Sequence, residues 1–290
     1  MPALHIVDVF ARERYAGNQL AVVESTGDLA AAEMQDIAAE MDFSETTFVE
    51  SLEPPYRVRI FTPEAEIPFA GHPTLGTAWV IREHVAPDRP DEVVLDLPVG
   101  EVPVEVRHVD GRETLWMTQQ SPTFGERVAH DRLAAVLGLE PAALDGDWPV
   151  QIVSTGLPTI VVPLRERGAL SAIDIDRAAY DAVTADREAK NVLAFCPDPR
   201  DATNDFAVRV FAPFYGVPED PATGSSNGCL AGYLARHAYA GRGTVEARVE
   251  QGYEMGRPSL LHLAATDRGQ AVDVEVGGGV VDVARGTLVG

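Results

Sequence analysis

A chain of 290 residues, 46% hydrophobic and 7% aromatic, has enough apolar material for two ordinary folded domains or one large one, and is no disordered tail. Its formal net charge of -22 excludes nucleic acid and anionic membranes as partners, because both would be repelled. Two cysteines, Cys196 and Cys229, are too few for a disulfide framework and lack metal-ligand spacing.

The opening MPALHIVDVFARER lacks a basic segment followed by an apolar core, and runs such as TIVVPL are too short to span a membrane. A cytoplasmic location is expected. Lys190 is the single lysine; every other basic residue is arginine or histidine. A GC-rich genome accounts for scarce lysine but not for the acidity, whereas a salt-rich cytoplasm accounts for both, since counter-ions screen an acidic surface. A halophilic source is therefore expected.

In chain order, GNQLAVV (17–23) reads as a glycine turn into an apolar strand and AAEMQDIAAEM (31–41) as a helix. MDFSETTFVE (41–50) follows as a strand, in which alternation sets Phe43, Glu45, Thr47 and Val49 on one face and Ser44, Thr46 and Phe48 on the other. A carboxylate beside phenylalanine is costly to bury unpaired. Glu45 is thus either an edge-strand acid paired with an arginine such as Arg59, or a group kept there for chemistry. VRIFTPEAEIP (58–68) reads as a strand and hairpin, FAGHPTLGTAWV (69–80) as a small-residue turn into a helix, and LPVGEVPV (97–104) as closing strands. Periodicity breaks across 118–131, ahead of the helix-like DRLAAVLGL. The expected division is 1–122 and 123–290, with the final strand near 280–290 returning to the first part.

The second part repeats the first. VRVFAPFYGVP (208–218) matches VRIFTPEAEIP at an offset of 150, with valine, arginine, phenylalanine and both prolines identical. GLPTIVV (156–162) resembles GNQLAVV, and YEMGRPSL (253–260) faces LPVGEVPV, in the same order. Many short strands and few helices predict an α+β fold in which each half wraps its sheet around one central helix. After each VR[IV]F strand the chain enters a helix through small residues: Gly71 and His72 in the first half, Gly224, Ser225 and Ser226 in EDPATGSSNGCLAGYL of the second. Helix starts carry N–H groups without internal partners and bind anions. If the halves face one another, a small carboxylate is the natural ligand. Taken singly, His72 before Pro73 also suits a turn, Asp220 before Pro221 a turn or cap, and Ser225 an N-cap.

Together, AGNQLAVV, FSETTFV, RIFTPEAEIPFAGHPTLGTA, STGLPTIVVP, EDPATGSSNGCLAGYL and QGYEMGRPS resemble the phenazine-biosynthesis isomerase-like family, related in fold to diaminopimelate epimerase. The resemblance runs nearly the whole length, and SETTF, FAGHPTLG and DPATGS are its specific motifs. It implies two pseudo-symmetric halves, each a β-barrel-like sheet around a helix, with the active site in the cleft between them. It also implies chemistry without metal or cofactor, and a homodimer. In the characterised phenazine enzyme a glutamate moves a proton between carbons, and its motif places that role on Glu45. The GHP histidine corresponds to His72, and the aspartate and serine of DPATGS to Asp220 and Ser225. Asn18 lies where related epimerases hold substrate with an asparagine. The sequence departs from the family at GNQ, where many relatives have GNP. Phe214 and Tyr215 can line the pocket differently, and Arg257 either caps the site or braces a hairpin. A base working on carbon acids is best with a pKa near neutrality, which apolar neighbours such as Phe43 and Phe48 would favour.

A two-thiol racemase is excluded, because the first helix start carries no cysteine and Cys229 falls inside the second helix. No GxGxxG or GxxxxGK[ST] loop signals a nucleotide, and no two histidines stand three or four residues apart. The expected activity is proton transfer within a small carboxylate, with a non-catalytic ligand-binding or protein-interaction module as the alternative.

Overall fold

The computed structural model describes residues 1–25 and 29–289. The chain divides into two compact units, one of Met1–Thr118 with the chain from Gly277 onward, the other of Gln119–Val276.

In the first unit β1 (Ala3–Val9) pairs antiparallel with β2 (Asn18–Glu24). Helix α1 (Ala31–Met41) crosses over to β3 (Thr46–Val49), which runs parallel to β2 with Thr46 opposite Ala21. β4 (Tyr56–Phe61) is antiparallel to β3 and to the short β5 (Glu66–Ile67). Helix α2 (Gly71–Val80) is the crossover to β6 (Glu92–Leu97), parallel to β4, after which β7 (Gly100–Val109) and β8 (Arg112–Thr118) form an antiparallel meander. Helices thus join parallel neighbours and tight turns join antiparallel ones, as chain geometry requires.

Helix α2 carries no charged residue and is buried from Gly71 to Ala78, packed against β1, β2, β3, β6, β7 and β8. A helix apolar on all sides needs cover on all sides. Helix α1 is amphipathic by contrast. It buries only Met34 and Ala38, one turn apart, on Val23, Phe48 and Phe61.

The second unit opens with β9 (Thr123–Arg127), α3 (His130–Leu137) and β10 (Gln151–Ser154), the last antiparallel to β9 and to β11 (Pro158–Pro163). Helices α4 (Arg167–Ser171) and α5 (Arg177–Thr184) lead to β12 (Asn191–Cys196), parallel to β11. β13 (Phe206–Ala212) pairs with β12 and β14 (Val217–Asp220). Helix α6 (Gly224–Arg236), buried from Ser226 to Ala235, precedes β15 (Thr244–Gln251), β16 (Ser259–Asp267) and β17 (Val272–Gly278). The last strand, β18 (Val280–Thr287), pairs antiparallel with β1 of the first unit.

Strand pairing makes the duplication quantitative. Thr46 faces Phe61 as Val192 faces Phe211, and Tyr56 faces Leu95 as Phe206 faces Val249. The offset of 150 therefore holds through Phe61 and Phe211. It then becomes 153, because residues 62–65 of the first hairpin are matched by 212–218 of the second. Ile60 faces Ile67 as Val210 faces Asp220, so Glu66–His72 (EIPFAGH) corresponds to Glu219–Ser225 (EDPATGS). This corrects the sequence alignment twice. Pro68 corresponds to Pro221, not Pro218, and Leu97 to Gln251, not to Tyr253. The match of GNQLAVV with GLPTIVV stands in register, Thr47 facing Val22 as Leu193 faces Val161. The repeated arginine has the same task in both hairpins: Arg59 and Arg209 each grip the glutamate of the next strand, Glu66 or Glu219, through two nitrogens at 2.7–2.8 Å.

Candidate active site

Glu45 does not lie in the strand that its sequence suggests. β3 begins at Thr46, and Phe43–Glu45 form the link from α1. The Thr47 and Thr77 hydroxyl oxygens meet at 2.7 Å, so the odd-numbered side of β3 faces α2. Phe48 points the other way, into the cluster beneath α1, with its ring edge-on to Phe61. Phe48 is therefore no part of the surroundings of Glu45, which belongs to the α2 side. Arg59 is engaged by Glu66 and by Glu50 at 3.7 Å, which removes it as the partner of Glu45.

The neighbour of Glu45 is His72. Glu45 Oε2 lies 3.5 Å from His72 Nε2, with the two side chains only 16% and 6% exposed. His72 is the second residue of α2 rather than a turn residue. Burial pushes its imidazole down to about 3, against the opposing effect of a hydrogen bond to the Gln19 backbone. The ring is therefore neutral in the physiological range. Nε2 has no hydrogen-bond partner among the described residues, which assigns the Gln19 bond to Nδ1. A bond that favours the charged ring is a donation to a carbonyl, so Nε2 presents its lone pair to Glu45. It can accept a proton-bearing carboxyl and receive its hydrogen bond.

That bond also ties the start of α2 to β2, whose first residue is the buried Asn18. Gly17, just before it, has φ +66°, and a Cβ there would lie 2.2 Å from the Val9 carbonyl oxygen. The buried Asp8 accepts the Tyr15 N–H at 2.6 Å and anchors the intervening loop. Asp8 was not signalled by any motif. At the helix start the first ladder bond runs from Thr74 N–H to the Ala70 carbonyl, leaving the Gly71 and His72 N–H groups outside the ladder. Pro73 has none to offer.

In the second unit Asp220 ends β14, and the next turn delivers the chain into α6. Thr223, not Ser225, is the N-cap residue, and its hydroxyl donates to Asp220 Oδ2. The first ladder bond is Asn227 N–H to the Thr223 carbonyl, so the N–H groups of Gly224, Ser225 and Ser226 lie outside the ladder. The Ser226 hydroxyl is fully buried against Thr159 at 3.1 Å and Asn191 at 3.5 Å, which leaves its backbone as the part that a ligand can use. Sequence reading missed Gln251, whose side chain holds this turn from 28 to 31 residues away. Cys229 is buried within α6, and burial raises its thiol above the ordinary range.

The duplication assigns each site residue a counterpart. Glu45 corresponds to Asn191, His72 to Ser225 and Asp220 to Ile67. The Glu45–His72 pair therefore has no counterpart at the matching positions of the second unit, which hold Asn191 and Ser225. Among the described residues no three His, Cys, Asp or Glu side chains gather to hold a metal.

Comparison with known proteins shows the family. The family model described as phenazine biosynthesis-like protein matches residues 7–286. The chain is 37% identical, over 97% of both chains, to the trans-2,3-dihydro-3-hydroxyanthranilate isomerase of Pseudomonas aeruginosa. A crystal structure of the Bacillus anthracis phenazine biosynthesis protein of the PhzF family superposes with a TM-score of 0.91, at 26% identity over 99% of each chain. A probable proline racemase from Agrobacterium radiobacter, at 12% identity and TM-score 0.60 over 100% of this chain and 93% of that one, shares the mixed α/β fold alone.

Proposed function

The chain belongs to the phenazine biosynthesis-like family and is an isomerase of it, and from that premise we propose that it moves a proton between two carbons of a small unsaturated carboxylate, with Glu45 as the sole acid/base. The approach of Glu45 to a neutral His72 is the observation that carries this reading. Glu45 takes a proton from an sp³ carbon, and the C–H electron pair spreads into the adjoining conjugated system. The protonated carboxyl then gives that proton to another carbon. One C–H bond breaks and one forms, with no oxidant or reductant required. His72 Nε2 receives the hydrogen bond of the protonated Glu45 while the substrate carries the charge. The N–H groups at the helix starts, Gly71–His72 and Gly224–Ser226, offer preorganised donors to a carboxylate or a developing oxyanion.

Asn18, Gly71, Gly224, Ser225 and Ser226 are the proposed substrate-binding positions, and His72 and Asp220 act beside Glu45. The proposal includes no cofactor, and in it each half is a barrel-like sheet around its helix. Because a single carboxylate removes and returns the proton, the reaction is a relocation and not an inversion requiring two bases. The compound named for the Pseudomonas relative, trans-2,3-dihydro-3-hydroxyanthranilate, is the first substrate to try. General acid–base catalysis contributes about 100- to 10,000-fold, so Glu45→Gln should lower kcat by at least about 100-fold with KM little changed. Equal turnover by the two proteins would remove Glu45 from the mechanism. Binding of the compound without conversion by either protein would favour a ligand-binding role.

A further inference from the structure

Gln251 is 1% exposed and uses its whole amide. Its Nε2 donates to the Asp220 carbonyl at 2.7 Å and to the Thr223 hydroxyl at 3.1 Å. Its Oε1 accepts the Thr223 N–H at 3.2 Å and the Asn227 Nδ2–H at 2.8 Å. The two donors and two acceptors fix the orientation of the amide, since a flip would set oxygen against oxygen at Asp220. Asn227 Nδ2 also donates to the Thr223 carbonyl at 3.0 Å, and the Thr223 hydroxyl passes the chain on to Asp220 Oδ2. The next residue, Gly252, lets the strand end approach so closely that a Cβ would lie 2.6 Å from the Pro221 carbonyl oxygen.

A network of this kind is usually read as holding the fold together. The first unit shows that this fold does not need it. Strand pairing puts Ile67, Ala70, Thr74 and Leu97 where the second unit has Asp220, Thr223, Asn227 and Gln251. After a hairpin three residues shorter, the corresponding turn and buried helix start form there, with Leu97 packed in the core and the helix entered from Ala70. One side-chain bond persists there, from the Thr74 hydroxyl to the Ala70 carbonyl at 2.7 Å, in the place of Asn227 on Thr223, and apolar packing replaces the rest of the network. Buried polar groups beyond that are otherwise a liability.

We infer that Gln251 is a positioning residue: with Thr223 and Asn227 it fixes the Asp220 carboxylate and the N–H groups at the start of α6 for the reaction. This rests on the isomerase reading given above. Misplacing a reacting group by about 1 Å costs on the order of 100-fold in rate, and an unbraced Asp220 turn has that freedom.

The test transplants the first unit's solution while leaving Asp220 in place, as the triple variant Thr223→Ala, Asn227→Thr, Gln251→Leu. Each protein is assayed on trans-2,3-dihydro-3-hydroxyanthranilate, with kcat expressed per folded molecule and the melting temperature recorded. The expected result is a folded protein melting close to the wild type, with kcat lowered by about 30- to 100-fold and KM changed far less. A folded variant with wild-type kcat would overturn the inference and leave the isomerase reading standing. A variant that does not fold would also overturn it, by showing that the network is needed for structure. A wild type that leaves the compound unconverted would strike the isomerase reading itself, and the inference with it.

Discussion

His72 gives the residue scale its sharpest consequence apart from Glu45. Its imidazole titrates near 6.5 when unfolded and is pushed by burial to about 3 in the native state. Between those values the unfolded chain binds a proton that the folded chain does not, so stability falls as pH drops through that window. From pH 7 to pH 5 the loss traceable to this one ring is about 2 kcal/mol. His72→Asn should therefore show a shallower decline than the wild type over that interval, measured by urea denaturation at the two pH values. Parallel declines would mean that the native ring does take up a proton. The sequence signalled both members of the Glu45–His72 pair but not their meeting. Alternation suggested phenylalanine neighbours on a strand, whereas Glu45 lies one residue before β3 and turns towards α2, 27 residues on.

Elements with strong local signals were readable before the structure. The helix 31–41 follows from Met34 and Ala38 at one-turn spacing, and the charge-free 71–80 from its need for cover. Register beyond a hairpin was not readable. A three-residue difference between the two hairpins shifted the alignment after Phe61 and hid the correspondence of Gln251 with Leu97. Long-range polar networks leave no periodic trace, which is why Gln251 and Asp8 went unnoticed. The loop between β1 and β2 carries its own prediction. Gly17 sits at positive φ against the Val9 carbonyl, so Gly17→Ala combines backbone strain with a clash that neither strand can relieve. The expected cost is about 3 kcal/mol, read from the denaturation midpoint, with Gly156→Ala in the matching loop as comparison. Gly156 has open space around its Cβ position, so its cost is confined to the backbone conformation. Equal losses at the two positions would show that the close approach at Gly17 does not matter.

At the scale of the whole molecule, 45 acidic residues against 23 lysines and arginines set the conditions for stability. Self-repulsion among surface carboxylates weakens as the screening length shrinks from about 10 Å at 0.1 M salt to about 3 Å at 1 M. The melting temperature should rise by several degrees from 0.1 to 2 M NaCl, steeply at first. A flat profile would mean that the surface ion pairs, such as Arg177 with Asp181 and Arg268 with Asp273, already offset the repulsion. The duplication is the other whole-molecule feature: one architecture built twice, with carboxylate and imidazole in one copy and a braced aspartate in the other.

The central claim is that Glu45 alone carries a proton from one carbon to another. The most direct measurement incubates wild type and Glu45→Gln with trans-2,3-dihydro-3-hydroxyanthranilate in D₂O and counts carbon-bound deuterium in the isomer by mass spectrometry. The account predicts isomer from the wild type that retains the transferred proton, with any deuterium that enters by exchange at the Glu45 carboxyl confined to the carbon that receives it, and neither isomer nor label from the variant within the same time. Isomer formed by Glu45→Gln at the wild-type rate, labelled or not, would contradict it.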